Sequence, residues 1–158
     1  MKHDYDTWLE QAKLVHQNPT KWRGTTLRQY IPEIYEIIRM KNLKTILDYG
    51  CGKAECHPQD WNATKYDPAV PEFSTKPEGR YDLVICTDVL EHIPVGGLRE
   101  VVDDIFNYSD QWVFLSVCCR KAAEILPNGY NAHATIESEK WWREFLSRYD
   151  NYTLRFSK

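Results

Sequence analysis

Residues 46–54 read ILDYGCGKA. An apolar run meets an acid, Asp48, and then two glycines, Gly50 and Gly52, on either side of Cys51. A short strand that runs straight into glycines ends in a tight turn, because glycine takes up positive φ at no steric cost. The missing side chains also let the backbone approach a ligand closely. In open α/β sheets, ligands sit beyond the carboxyl ends of the strands, which is where this turn falls.

Beyond the turn, KYD at 65–67 reads as a second strand, and PEFSTKPEGR, with two prolines, as a loop. YDLVICT at 81–87 is almost continuously apolar, as in a strand buried on both faces of a parallel sheet. Residues 98–108 turn Val101, Val102, Ile105 and Phe106 inward on a helix. QWVFLSVCC reads as another buried strand, residues 137–149 as a helix carrying Trp141, Trp142, Phe145 and Leu146, and NYTLRFS as a final alternating strand. Ahead of the turn, residues 4–17 put Tyr5, Trp8, Leu9, Ala12 and Val15 on one helical face, and Asn18 and Pro19 end it. KWRGTTL is a loop. A second helix starts near Pro32, where a missing N–H costs nothing, and carries Ile34, Ile37 and Ile38 to about Met40. The alternation predicts one α/β domain, residues 1–158, with a helical segment at 1–42 and a doubly wound core at 43–158.

The 158 residues suffice for one buried core, and 42% hydrophobic with 27% charged residues is ordinary globular composition. A net charge of -3 supplies no global field toward nucleic acid or membranes, and direct nucleic-acid binding stays open as a matter of local patches. No apolar run approaches the roughly 20 residues that span a bilayer. The polar, acidic start MKHDYDTWLEQ argues against a signal peptide, so a cytoplasmic location is expected. The five cysteines form no CxxC pair, which disfavours a closed zinc site, and no metal is expected. Cys56 and His57 are a weak candidate ligand pair; Cys86 and Cys118 read as small core hydrophobes.

Three kinds of ligand loop begin like ILDYGCGKA. A phosphate loop needs GxxxxGK[ST]; Lys53 follows Gly52, but no Ser or Thr follows it, and Gly50 is wrongly spaced. A dinucleotide loop needs GxGxxG, and residue 55 is Glu. What remains is a ligand without a pyrophosphate. Asp48 would set a carboxylate near a cationic group, and Asp67, at the end of the second strand, would accept the hydroxyls of a ribose. S-adenosylmethionine (SAM) has an ammonium, a sulfonium, a carboxylate and a ribose.

ILDYGCGKA resembles motif I of class I SAM-dependent methyltransferases, and YDLVICTDVLEHIP resembles the fourth-strand motif of that superfamily, where LEH is common. The two in order, with KYDP between them, are a specific combination. The likeness covers about residues 24–120 and is strongest to small methyltransferase-like proteins, some phage-encoded, with DYGCGK, YDP, DVLEHIP and a later NAH segment. It implies a trimmed Rossmann-like doubly wound sheet of about five mostly parallel strands with N-terminal helices. It implies that Asp48, Gly50, Cys51 and Gly52 line the methionine moiety of SAM. Asp67 would hold the ribose, Pro68 would lie beside the adenine, and Thr87, Asp88 and Val89 would close the pocket.

The chain departs from the superfamily's pattern in three ways. Ala54 stands where a third glycine is usual. The stretch after Gly52 is short for a first helix, and only PEFSTKPEGR fills the place of a helix and a third strand. Exposed sheet edges would suit a homodimer. For the acceptor side, His92 and His133 are the candidate catalytic residues, since imidazole exchanges protons near neutral pH. Asn128, Tyr130 and Asn131 are candidate substrate contacts, in a loop of turn residues. Glu91 is a further polar candidate. Trp141 and Trp142 read as core, and Lys21, Trp22, Arg23, Arg28 and Lys44 as a solvated basic face. The expected function is methyl transfer from SAM to a small polar acceptor or modified nucleobase. The alternative is a SAM-binding partner that does not methylate.

Overall fold

The computed structural model describes residues 4–158. Residues 1–3, which open the polar N-terminus read above, lie outside the described residues. Helix α1 (Tyr5–His16) starts at Asp4, whose carboxylate accepts from Thr7 N at 2.9 Å, and buries Trp8, Ala12 and Val15. A 3₁₀ turn (Thr26–Tyr30) runs into α2 (Ile31–Lys41), with Pro32 in its first turn and Asn42 left-handed at its end. The strands are β1 (Ile46–Tyr49), β2 (Thr64–Tyr66), β3 (Tyr81–Thr87), β4 (Ser109–Cys118) and β5 (Tyr152–Ser157). Helix α3 (Val95–Tyr108) joins β3 to β4, and α4 (Glu139–Leu146), capped by Ser138, joins β4 to β5.

Among the described residues the strands form one five-stranded sheet in the order β2-β1-β3-β4-β5, with every pairing parallel. This is the α/β, Rossmann-like sheet the sequence predicts. The expected shortfall is present too. Only the 3₁₀ turn Gln59–Trp61 lies between β1 and β2, and only the 3₁₀ turn Pro71–Phe73 between β2 and β3.

Alternation along the strands divides the core in two. Leu47, Val84, Cys86, Val113, Leu115 and Val117 pack with α1, α3 and α4 on one face. Ile46, Leu83, Ile85 and Phe114 pack with α2 and Trp61 on the other. The continuous apolar runs of β3 and β4 follow from this double covering. Trp142 is a fully buried member of the first core, and Trp141 stacks on Phe145 with centroids 5.0 Å apart. Helix α3 begins three residues before the sequence reading, right after Pro94. Its Gly97 earns a place there because a Cβ would lie 3.1 Å from Tyr5 Cβ, so the glycine lets α1 approach α3. No helix among the described residues is long and apolar enough to cross a membrane.

From β1 the chain steps out to β2 and returns to β3 on the other side of β1. That reversal opens a crevice between the loops after β1 and β3.

Candidate functional site

A cavity of about 490 Å³ occupies this crevice, within the usual range for a small-molecule site. Its lining includes Asp48, Gly50, Cys51, Gly52, Asp67, Pro68, Thr87, Asp88, Val89, His92 and His133.

The β1 end is built from backbone. Gly50 and Gly52 both have positive φ, 80° and 55°. Gly50 N and Cys51 N donate to Tyr66 O at 2.7 and 3.1 Å. Gly52 N donates to one Asp67 oxygen, and Ala69 N to the other, both at 2.9 Å. The glycine turn is thereby tied to the end of β2. Burial pushes the Asp67 carboxyl upward, against the pull of these two N–H groups. A Cβ on Gly50 would lie 2.5 Å from Val89 Cγ2, so the turn also presses on the loop after β3. In that loop Asp88 is left-handed (φ 51°) and accepts from Ser116 Oγ at 2.6 Å.

Asp48 has a partner the sequence reading did not give it. Its Oδ2 lies 2.5 Å from His57 Nε2, and both side chains are almost fully buried. Cys56 Sγ donates to Gly24 O, so Cys56 and His57 turn to different partners.

The opposite end is built from side chains. His92 and His133 meet edge to face with centroids 4.7 Å apart; Trp22 packs on His92 at 4.9 Å, and His16 on Trp22 at 5.3 Å. His92 Nδ1 donates to Ala132 O at 2.9 Å, and His133 Nδ1 donates to Arg120 O. A carbonyl only accepts, so each Nδ1 carries a proton. Burial, reinforced by His133 and His16, lowers the His92 pKa to about 3. Burial and then Lys53 lower that of His16 to about 4. His92 is therefore neutral and a poor base near pH 7.

Trp22 arrives from the loop after α1, which lies on the glycine turn. Lys53 N donates to Trp22 O at 3.4 Å and Glu55 N to Arg23 O at 3.2 Å. A Cβ on Gly24, whose φ is 75°, would lie 2.3 Å from Cys51 O. The neighbouring charges are paired: Lys21 with Glu124, Arg23 with Glu55. Trp22 is thus cavity wall, not part of a solvated basic face. Of these side chains, sequence reasoning missed His16, assigned Trp22 to a solvated face, and noted His57, which braces Asp48 without lining the cavity, only as part of the CH pair.

Asn128, Tyr130 and Asn131 do not line the cavity. Asn131 Oδ1 accepts from Ala122 N at 3.0 Å and His133 N at 3.1 Å, and its Nδ2 donates to Ala122 O at 2.8 Å. Asn128 Oδ1 accepts from Tyr130 N at 3.3 Å. These amides shape the loop that presents His133. Tyr130 and Asn131 border a neighbouring surface groove.

A family model described as "Methyltransferase domain" matches residues 15–153, nearly the whole chain. No curated protein and no solved structure matches it. Its parallel sheet, switch-point cavity and glycine turn agree with that match: the chain belongs to the methyltransferase-domain family.

Proposed function

We propose that this domain is a SAM-dependent methyltransferase acting on a small polar acceptor or a modified nucleobase. The observation that carries the reading is the single cavity running from Asp67 and the glycine turn to His92 and His133. Its residues suit the cofactor. Gly50 and Gly52 leave the backbone open to a close-lying ligand. Asp67 spends one lone pair of each oxygen on a backbone N–H, and each oxygen keeps another for a ribose hydroxyl. Asp48, Asp67 and Asp88 give this end an acidic lining that favours a cationic ligand.

When bound, SAM supplies an already activated methyl group for in-line displacement. The chain's own residues align and enclose the acceptor. Trp22 and the three imidazoles form an aromatic wall facing it, and Tyr5 and Trp8 of α1 help to shut out water. His133, held through its Nδ1–H by Arg120 O, lines the end where the acceptor would enter.

The deciding experiment is calorimetric titration of the folded protein with SAM and with S-adenosylhomocysteine, its demethylated product. Micromolar binding of either supports the reading and justifies an acceptor screen. Absence of binding to both, with a native circular-dichroism spectrum, overturns it.

A further inference from the structure

Glu91 lies beneath the acceptor end of the cavity and is completely buried. One carboxylate oxygen accepts from Cys118 N at 2.9 Å. The other, Oε2, has no hydrogen-bond partner among the described residues. A buried polar atom left unpaired is costly, so its retention calls for a partner. Two further donor side chains converge on the Glu91 carboxylate. One donor atom each from Glu91, Cys118 and His133 all lie within 4.8 Å of one another. Cys118 and His133 line the cavity, and Glu91 closes the trio from below.

We propose that Glu91, Cys118 and His133 bind a divalent transition-metal ion of the zinc class, with its remaining coordination position open to the cavity. One thiolate, one imidazole and one carboxylate are a donor set for a borderline-soft cation; magnesium and calcium select all-oxygen shells. Three protein ligands and one open position are the arrangement of zinc sites that act on a bound molecule, whereas structural zinc takes four. His133 is prepared for this role. Arg120 O holds its Nδ1–H, fixes the tautomer and orients the ring, as outer partners of ligating histidines do. Binding requires Cys118 as a thiolate and Glu91 as a carboxylate, and any proton they give up passes to solvent.

The proposed site departs from the expectation that no metal is held, and it would give Cys118 a role beyond that of a core hydrophobe. It also gives the acceptor end a Lewis acid toward which a hydroxyl of the acceptor would turn, a consequence that rests on the methyltransferase reading. The site itself does not.

The test uses the full chain, treated with chelator under reducing conditions, without SAM. One equivalent of Co²⁺ should give tetrahedral d–d bands and a thiolate-to-cobalt charge-transfer band, and Zn²⁺ should displace it at one ion per chain. Cys118→Ser should lose the charge-transfer band. Cys56→Ser and Cys119→Ser should keep it. Glu91→Gln should weaken Zn²⁺ binding at least tenfold. Absence of a one-to-one complex in the wild-type protein overturns the proposal whether or not the variants fold. So does a charge-transfer band that survives Cys118→Ser, or Zn²⁺ affinity unchanged in Glu91→Gln.

Discussion

At the β1 end of the cavity, contacts run through the backbone within one short stretch of chain. Gly50, Cys51, Gly52 and Ala69 all donate to Tyr66 or Asp67. At the far end, rings from α1, the loop after it, the β3 loop and the β4 loop meet as side chains only: His16, Trp22, His92 and His133. The first end depends on φ angles and a few hydrogen bonds, so its tolerance to change is set by sterics. The second depends on burial of titratable rings, so its tolerance is set by pH and by which side chain is kept. A loop carrying Trp22 and Gly24 joins the two, with Gly24 against one end and Trp22 in the other.

The largest expected effect breaks that joint. In Gly24→Ala the new Cβ meets Cys51 O at 2.3 Å and φ stays near 75°. Overpacking and left-handed strain together should cost about 3 kcal/mol, read as a lower urea midpoint. A variant of ordinary stability would mean that the loop is not held by the glycine turn.

The next effect belongs to the ring end alone. His92 and His16 stay neutral in the fold down to about pH 3 and 4, whereas the unfolded chain protonates them below about 6.5. Their contribution is therefore complete above pH 6.5 and is lost as pH falls, by up to about 1.4 kcal/mol per pH unit for each. Glu91 and Asp67, whose carboxyls are raised by burial, act in the opposite sense. The histidine part is thus the difference between wild type and His92→Gln, whose urea midpoint should fall less steeply between pH 6 and 4. Parallel pH profiles would show that His92 takes up a proton in the fold.

A third measurement separates the ends by ligand. Asp67→Ala should weaken binding of S-adenosylhomocysteine at least tenfold, about 1.4 kcal/mol, for a lost charge-assisted contact. His133→Ala should leave that affinity unchanged and abolish turnover of any acceptor found. Equal losses in both variants would merge the two ends into one site.

The smallest effect lies within the glycine turn. Ala54 stands where the family pattern has glycine, and it is left-handed with φ 53°. Ala54→Gly should relieve about 1–2 kcal/mol of strain and give back part of it as unfolded-chain entropy. A rise in Tm of about 2 °C is expected; a fall would show that the alanine methyl packs favourably there.

The sequence was most legible where neighbours in the chain are neighbours in space. Trp8, Ala12 and Val15 mark α1 by spacing alone, and all three are buried. The runs of β3 and β4 announce strands covered on both faces, and DYGCG announces a turn. Boundaries were less legible. Helix α4 stops at Leu146, not 149, and the glycine pair in α3 hid its first turn. That Asn128 and Asn131 hydrogen-bond within their own loop was illegible for a different reason. An amide that hydrogen-bonds its own loop looks, in sequence, the same as one that faces a ligand.

By itself, then, the amino-acid sequence determined the parallel α/β architecture, the missing helix and strand beside β2, and the glycine turn after β1. Each is written in local periodicity, loop length or glycine spacing. Only the tertiary structure decided that His57 pairs with Asp48, that Trp22 walls the cavity, and that Glu91, Cys118 and His133 converge. Those contacts join segments far apart in the chain, so packing of helices onto the sheet creates them and no local pattern encodes them.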